Sequence, residues 1–172
     1  MSKARSSKGN SGKAPTTTQL KKISRDHSDK VAQGLCRILA NTFTLYLKTH
    51  YFHWNIRGPQ FASLHILFEQ QYTELWQATD VLAERIKALG YEAPGTYQQF
   101  EALSEVKNLP GIPSQNDMVR ILAEDNETTA NVCYEIKDIA EELDQPSQDL
   151  INSRIQIHEK VIWMLRSSLE QK

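Results

Sequence analysis

Two histidines and three carboxylates, His53, His65, Glu69, Asp80 and Glu84, carry the residue types and spacing that metal chemistry needs. Four of them lie in one run in which Phe61, Leu64, Phe68, Tyr72, Leu75, Leu82, Ile86 and Leu89 recur at three- and four-residue steps and Gly90 closes the pattern. That is one amphipathic helix of roughly thirty residues. Taking His65 as zero, a helix turns Glu69 to about 40°, Asp80 to about 60° and Glu84 to about 100°. The four form a single stripe bordering the apolar face. Neutral imidazole with carboxylate oxygen suits iron, zinc or manganese. His53 belongs to the preceding helical pattern, and Gly58-Pro59 between the two is a stop signal. His53 and His65 stand six residues either side of Pro59, so a helical hairpin sets them side by side.

Height along the helix then limits the arrangement. Glu69 and Asp80 are eleven residues apart, roughly 16 Å along the axis, too far for one ion to bridge. A second copy lying antiparallel, with a twofold near Glu74-Leu75, brings Asp80 and Glu84 of one chain opposite Glu69 and His65 of the other. Isologous twofold contacts are the commonest oligomer interface. The expected site is shared: His53, His65 and Glu69 from one subunit, Asp80 and Glu84 from its mate. The spacing by itself demands a dimer.

The segments KTHYFHWNIRGPQF, LHILFEQQYTEL and ATDVLAERIKALG resemble the Dps family of bacterial mini-ferritins, the DNA-binding proteins of starved cells. The similarity runs from about Asp29 to Leu169, and the His-Trp…His…Glu…Asp-x-x-x-Glu series is its most specific part. It implies a ferritin-like four-helix bundle and a ferroxidase centre at a dimer interface, formed by those five positions. It also implies oxidation of ferrous iron, typically by hydrogen peroxide, and ferric storage in a twelve-subunit shell. Glu69 stands where many relatives carry Asp, a departure either carboxylate tolerates. Trp54 is core or interface packing, or, by the resemblance, an indole beside the iron that intercepts stray oxidant.

The elements that position these residues are all α-helical. A first helix from Asp26–Ser28 to Arg57 buries Val31, Leu35, Ile38, Leu39, Phe43 and Tyr46. Tyr91 to Pro113 is a long crossover with a short amphipathic helix at Gln98–Lys107, the length that parallel second and third helices require. The third helix opens at Ser114, with Asp117 in an approximate capping box, and runs to about Leu143; the fourth runs from Asp144-Gln145-Pro146-Ser147 to about Leu169. Asp144 and Asp149 suit a helix's first turn. The matching region of Dps relatives lines threefold pores that admit ferrous ions, a role expected of Asp149 more than Asp144. His50 and His158 read as structural histidines, with His50, one turn before His53, alternatively a group that supports the ligands. No Glu precedes a His by three residues, which argues against the intrasubunit di-iron centre of other four-helix bundles.

Composition bounds the rest. At 172 residues and 40% hydrophobic the chain suits one buried domain. No apolar run reaches the ~18 residues of a membrane span, no signal-peptide pattern opens the chain, and Cys36 and Cys133 read as buried free thiols. A cytoplasmic protein without organic cofactor is expected. Residues 1–25 are a different material: Lys3, Arg5, Lys8, Lys13, Lys21, Lys22 and Arg25, no acidic residue and almost nothing apolar. They are expected to be a disordered basic tail on a ferritin-like domain at 26–172. Removing those seven positive charges from a net −1 leaves −8 on the remainder. A basic arm on an acidic body, repeated around an oligomer, suits sequence-independent DNA binding and a nucleoid association. Lysine-rich arms are associated with DNA condensation in relatives. Three other readings stand beside this: a DNA-packing protein without ferroxidase activity, an iron-storing mini-ferritin that does not bind DNA, and a plain helical bundle whose tail is a solubiliser.

Overall fold

The computed structural model describes residues 25–141 and 144–169, with Arg25 to His27 and Glu141 described by their backbone alone. The tail cations Lys3, Arg5, Lys8, Lys13, Lys21 and Lys22, and the Arg25 side chain, therefore lie outside the described residues. Five helices follow in order: α1 (Arg25–Asn55), α2 (Phe61–Ala88), α3 (Tyr97–Leu103), α4 (Gln115–Glu141) and α5 (Gln145–Ser167). Among the described residues there is no strand. α1 lies against α2 and α4, α4 lies against α5, α3 crosses over α1, and α2 meets α5 more sparingly. This is the expected four-helix bundle with a short helix in the crossover.

The helices bury two apolar clusters. One joins Leu35, Ile38 and Leu39 of α1 to Leu82 and Ile86 of α2, Val132 and Ile136 of α4, and Ile151 and Ile155 of α5. The other joins Leu45 and Phe52 to Leu64, Phe68 and Leu75, then Met118, Leu122 and Leu165. Between the clusters, α4 and α5 place Asn126 and His158, both almost wholly buried. His158 Nδ1–H donates to Asn126 Oδ1 at 2.7 Å, and its Nε2 accepts from Arg154 Nη2 at 3.3 Å. Both ring nitrogens are occupied, so His158 is structural, as its position on the helix suggested.

Helix ends follow local chemistry. Gly90, with φ +92°, closes α2: its N–H donates to Lys87 O, and Tyr91 N–H to Ile86 O, the paired bonds of a Schellman turn that favours glycine. α3 is shorter than expected, ending at Leu103 instead of Lys107. The reason is Asn41, a wholly buried residue of α1 whose Oδ1 accepts from Glu105 N–H at 2.7 Å and Val106 N–H at 3.4 Å. Those donors are tied to α1, and the chain leaves the helix at Ser104 in an extended conformation, φ −77° and ψ 134°. Ser114 and Asp117 cap α4 as expected, Ser114 Oγ donating to Asp117 Oδ2 at 2.6 Å and accepting from its N–H at 3.3 Å.

Asp144 departs from the pore role offered for it. It is 2% exposed, its Oδ1 accepts from Arg85 Nη2 at 2.5 Å, and its side chain caps α5 through Ser147 N–H. Burial alone would raise its pKa, but the Arg85 guanidinium and the Ser147 bonds outweigh burial and hold it below the usual 3.8. A carboxylate so committed faces no channel. Asp149 is exposed and touched by Gln145 Nε2 at 2.9 Å.

Burial first, and then the nearby Arg154 cation, push the His158 pKa well below 6.5. The folded protein keeps this ring neutral where the unfolded chain protonates it, so stability is present above about pH 6.5 and falls as pH drops through that value. Denaturant titrations should show a loss of about 1 kcal/mol between pH 6.5 and 5.5. His158→Gln should flatten that slope; an unchanged slope would mean that another group carries it.

Candidate metal centre

The α1–α2 hairpin brings the two sequence-predicted histidines together. His53 Nδ1 lies 2.9 Å from the His65 carbonyl oxygen, and His65 Nδ1 lies 3.0 Å from the His53 carbonyl oxygen. A carbonyl only accepts, so each Nδ1 carries its ring proton and each Nε2 keeps a lone pair. The rings stack, centroids 3.8 Å apart and 19° between planes. Backbone-anchored imidazoles of this tautomer are the usual form of a metal-ligating histidine pair. The connecting turn holds them there. Gly58 has φ +133°, and a Cβ on it would meet Gln115 Oε1 at 2.6 Å; that same oxygen accepts from Gln60 N–H at 3.0 Å. Gln115 of α4 thus fastens the hairpin to the bundle, a contact no sequence pattern announces.

The carboxylates do not converge within the chain. Glu69, Asp80 and Glu84 are exposed on the outer face of α2, while His53 is buried and His65 half-buried. Among the described residues no three His, Cys, Asp or Glu side chains gather as a metal site. The stripe does more than border the apolar face. Trp76, at about 20° on the same scale, sits in its middle and is 56% exposed. Phe61, Ile66 and Val81 are likewise open to solvent. Asp80 lines a groove of about 1050 Å³ with Trp76, Val81 and Tyr97.

A ring of aromatic side chains surrounds the imidazoles. Phe61 stacks on His65 with centroids 5.1 Å apart, and Tyr72 meets His53 edge-on at 5.2 Å. His50 lies between Tyr72 at 4.0 Å and Trp54 at 4.1 Å. Burial first, then the neighbouring His53, lower the His50 pKa below 6.5. His50 packs by its ring against Tyr72 and Trp54. Trp54 is 66% exposed and so is not core of this chain. Tyr72 was readable only as a core residue, although seven residues from His65 on a helix returns it to nearly the same face.

The interior of the bundle is closed to a cation. Arg154, 3% exposed, pairs with Glu74 across α5 and α2 and donates to His158. Cys36 and Cys133 are free, and burial pushes the Cys133 thiol up to about 12, where it neither ligates nor reacts readily. No helix among the described residues is long and apolar enough to cross a membrane.

Comparison with known proteins bears on the family and the fold. A family model described as a ferritin-like domain matches residues 32–172. The DNA protection during starvation protein of Brevibacillus brevis is 35% identical over 141 residues, covering 81% of this chain and 95% of that protein. The crystal structure of a Dps protein from Bacillus brevis superposes with a TM-score of 0.82 at 33% identity, over 86% of this chain and 100% of the other. A Dps from Vibrio cholerae, described as a member of a broad superfamily of ferritin-like diiron-carboxylate proteins, superposes with the same TM-score at 29% identity, over 86% of this chain and 94% of that one. With its ligand-type histidines paired at the helical hairpin and its carboxylates strung along the outer face of α2, the chain belongs to the Dps family of ferritin-like proteins.

Proposed function

We propose that the protein oxidises ferrous iron at a centre shared between two subunits and stores the ferric product inside an oligomeric shell. The observation that carries this reading is the reciprocal bonding of His53 and His65, which leaves two Nε2 lone pairs beside a stripe of exposed carboxylates. Positions 65 and 84, like 69 and 80, are equidistant from the midpoint of Glu74 and Leu75. An antiparallel second α2 therefore carries Asp80 and Glu84 to Glu69 and His65. The exposed Trp76 and Ile66 favour such a pairing, since large apolar side chains along a charged stripe mark an interface. By family resemblance the assembly is a dodecamer.

Iron is the substrate. Neutral imidazoles and carboxylates supply a mixed nitrogen and oxygen set that accepts ferrous iron and stabilises the ferric charge. Hydrogen peroxide is the oxidant: two ferrous ions give one electron each and two protons complete two waters, so no hydroxyl radical is released. The exposed Asp149 is the remaining candidate for a pore that concentrates cations by electrostatic focusing. The basic residues Lys3, Arg5, Lys8, Lys13, Lys21, Lys22 and Arg25 bind DNA phosphates without sequence preference, which places the protein in the cytoplasm with the nucleoid.

Anaerobic loading with ferrous iron followed by peroxide should develop a ferric absorbance. His65→Ala or Asp80→Ala should slow it by at least the ~10–100-fold that loss of a supporting ligand contact costs. Undiminished oxidation in both variants would remove the site, and a wild-type protein that binds DNA without oxidising iron would be a packing protein instead.

Trp76→Glu should split the α2 pairing. Light scattering should then show species approaching the 19.7 kDa chain, with iron binding lost in parallel. Iron retained by a monomer would contradict a shared site.

Deleting residues 1–25 should abolish retardation of duplex DNA while sparing iron oxidation. In the intact protein retention should weaken steeply with salt, as counterion release requires. Equal DNA condensation by the truncated protein would rule out the arm.

A further inference from the structure

We infer that Tyr72 is a one-electron donor to the iron centre and the first member of an aromatic relay to the protein surface. The inference rests on the ferroxidase reading above and concerns the case that reading leaves open, in which peroxide meets a single bound ferrous ion. The observations are the ring contacts. Tyr72 lies edge-on to His53 at 5.2 Å and stacks on His50 at 4.0 Å with 19° between planes. From Tyr72 the path continues to Tyr46 at 6.4 Å and from Tyr46 to Trp76 at 5.5 Å. A second branch passes through the His50 ring to Trp54 at 4.1 Å. The second branch ends on an indole 66% exposed, and the first ends on Trp76, at the face where the second subunit pairs. Every redox-active ring is within one short electron-transfer step of the next, and the first ring touches a candidate iron ligand.

The chemistry balances. Reducing peroxide to two waters takes two electrons and two protons. One bound ferrous ion supplies one electron and becomes ferric. The Tyr72 phenol supplies the second electron together with its proton, solvent supplies the other proton, and a neutral tyrosyl radical remains. The O–O bond is cleaved without a free hydroxyl radical. Tyr46 or an indole then reduces the Tyr72 radical and returns a proton to it. The hole comes to rest at Trp54, where a soluble one-electron reductant such as a thiol can reach it, or is shared with Trp76 at the subunit pairing. Trp54 alone could catch an oxidant that has already escaped; Tyr72 lies beside the ligand itself and acts before escape.

The test uses the full-length protein loaded anaerobically with one ferrous ion per site, mixed with peroxide and freeze-quenched for electron paramagnetic resonance. The expected result is a radical signal that narrows when the protein carries ring-deuterated tyrosine, which assigns it to tyrosine. Tyr72→Phe, checked for fold by circular dichroism and for iron stoichiometry by titration, should lose most of that signal, and spin-trapped hydroxyl radical should rise several-fold. Tyr46→Phe should retain a radical at Tyr72 that decays more slowly than in the wild type. A signal of unchanged size and line shape in Tyr72→Phe would overturn the inference, as would ferric absorbance in the wild type without any tyrosine radical. Absence of ferric absorbance in the wild type would instead refute the ferroxidase reading, and this inference with it.

Discussion

The structure turns on two hydrogen bonds that cross the α1–α2 hairpin in opposite directions, each from an imidazole Nδ1–H to the other histidine's carbonyl. The bond to His53 satisfies a carbonyl in the last turn of α1 that would otherwise go unpaired, while the bond to His65 adds a second donor to a carbonyl inside α2. They also choose the tautomer of both rings and therefore where the lone pairs point. The bonds form only if the turn brings residue 53 level with residue 65. Gly58 in its left-handed conformation and Gln115 reaching from α4 hold that register. A one-residue change in the turn would rotate one histidine by about 100° and separate the pair.

The interior of the bundle takes the opposite course. Where facing helices could converge on an internal metal, this chain places the Arg154 guanidinium, bonded to Glu74 and His158, with Asn126 behind His158. A buried cation, its two terminal nitrogens bonded, repels a second cation, and a fully bonded neutral histidine offers it no lone pair. Chemistry is thereby displaced to the outer face of α2. There the carboxylates keep their hydration in the isolated chain, and an exposed tryptophan and isoleucine, Trp76 and Ile66, lie on the same stripe. The two arrangements are complementary: a polar network that stabilises the centre of one subunit, and a surface that is unsatisfied until something packs on it.

Buried side chains of α1 give the crossover its course. Asn41 collects the N–H groups just after α3. Lys48, deep beside Asp125, donates to Asp125 Oδ2 at 2.5 Å and to the carbonyl of Lys107 at 2.7 Å. Burial raises the pKa of Asp125 by more than Lys48 lowers it, so this pair is bought with desolvation and serves mainly to fix where the segment lies. That placement brings Tyr97 and Phe100 beside Phe43 and makes them one wall of the groove that holds Trp76 and Asp80.

Much of this was legible from residue order alone. Helical periodicity and the Gly58-Pro59 and Gly90 stops located α1 and α2 to within a few residues, because a helix repeats locally and its ends have local chemistry. The same regularity put His65, Glu69, Asp80 and Glu84 on one stripe and showed them too far apart along the axis for a single ion. Periodicity could not say that Asp144 is consumed by Arg85 and Ser147, that Asn41 cuts α3 short, or that Tyr72 stacks on His50 and meets His53 edge-on. Apart from the Ser147 cap, those outcomes depend on groups from different helices or loops, 59 residues apart for Arg85 and Asp144 and 64 for Asn41 and Glu105, meeting only once the helices pack. Sequence determined which face of α2 could do chemistry; tertiary packing alone decided the orientation of the lone pairs and the surroundings of the ligands, since both follow from contacts between helices that no single helix encodes.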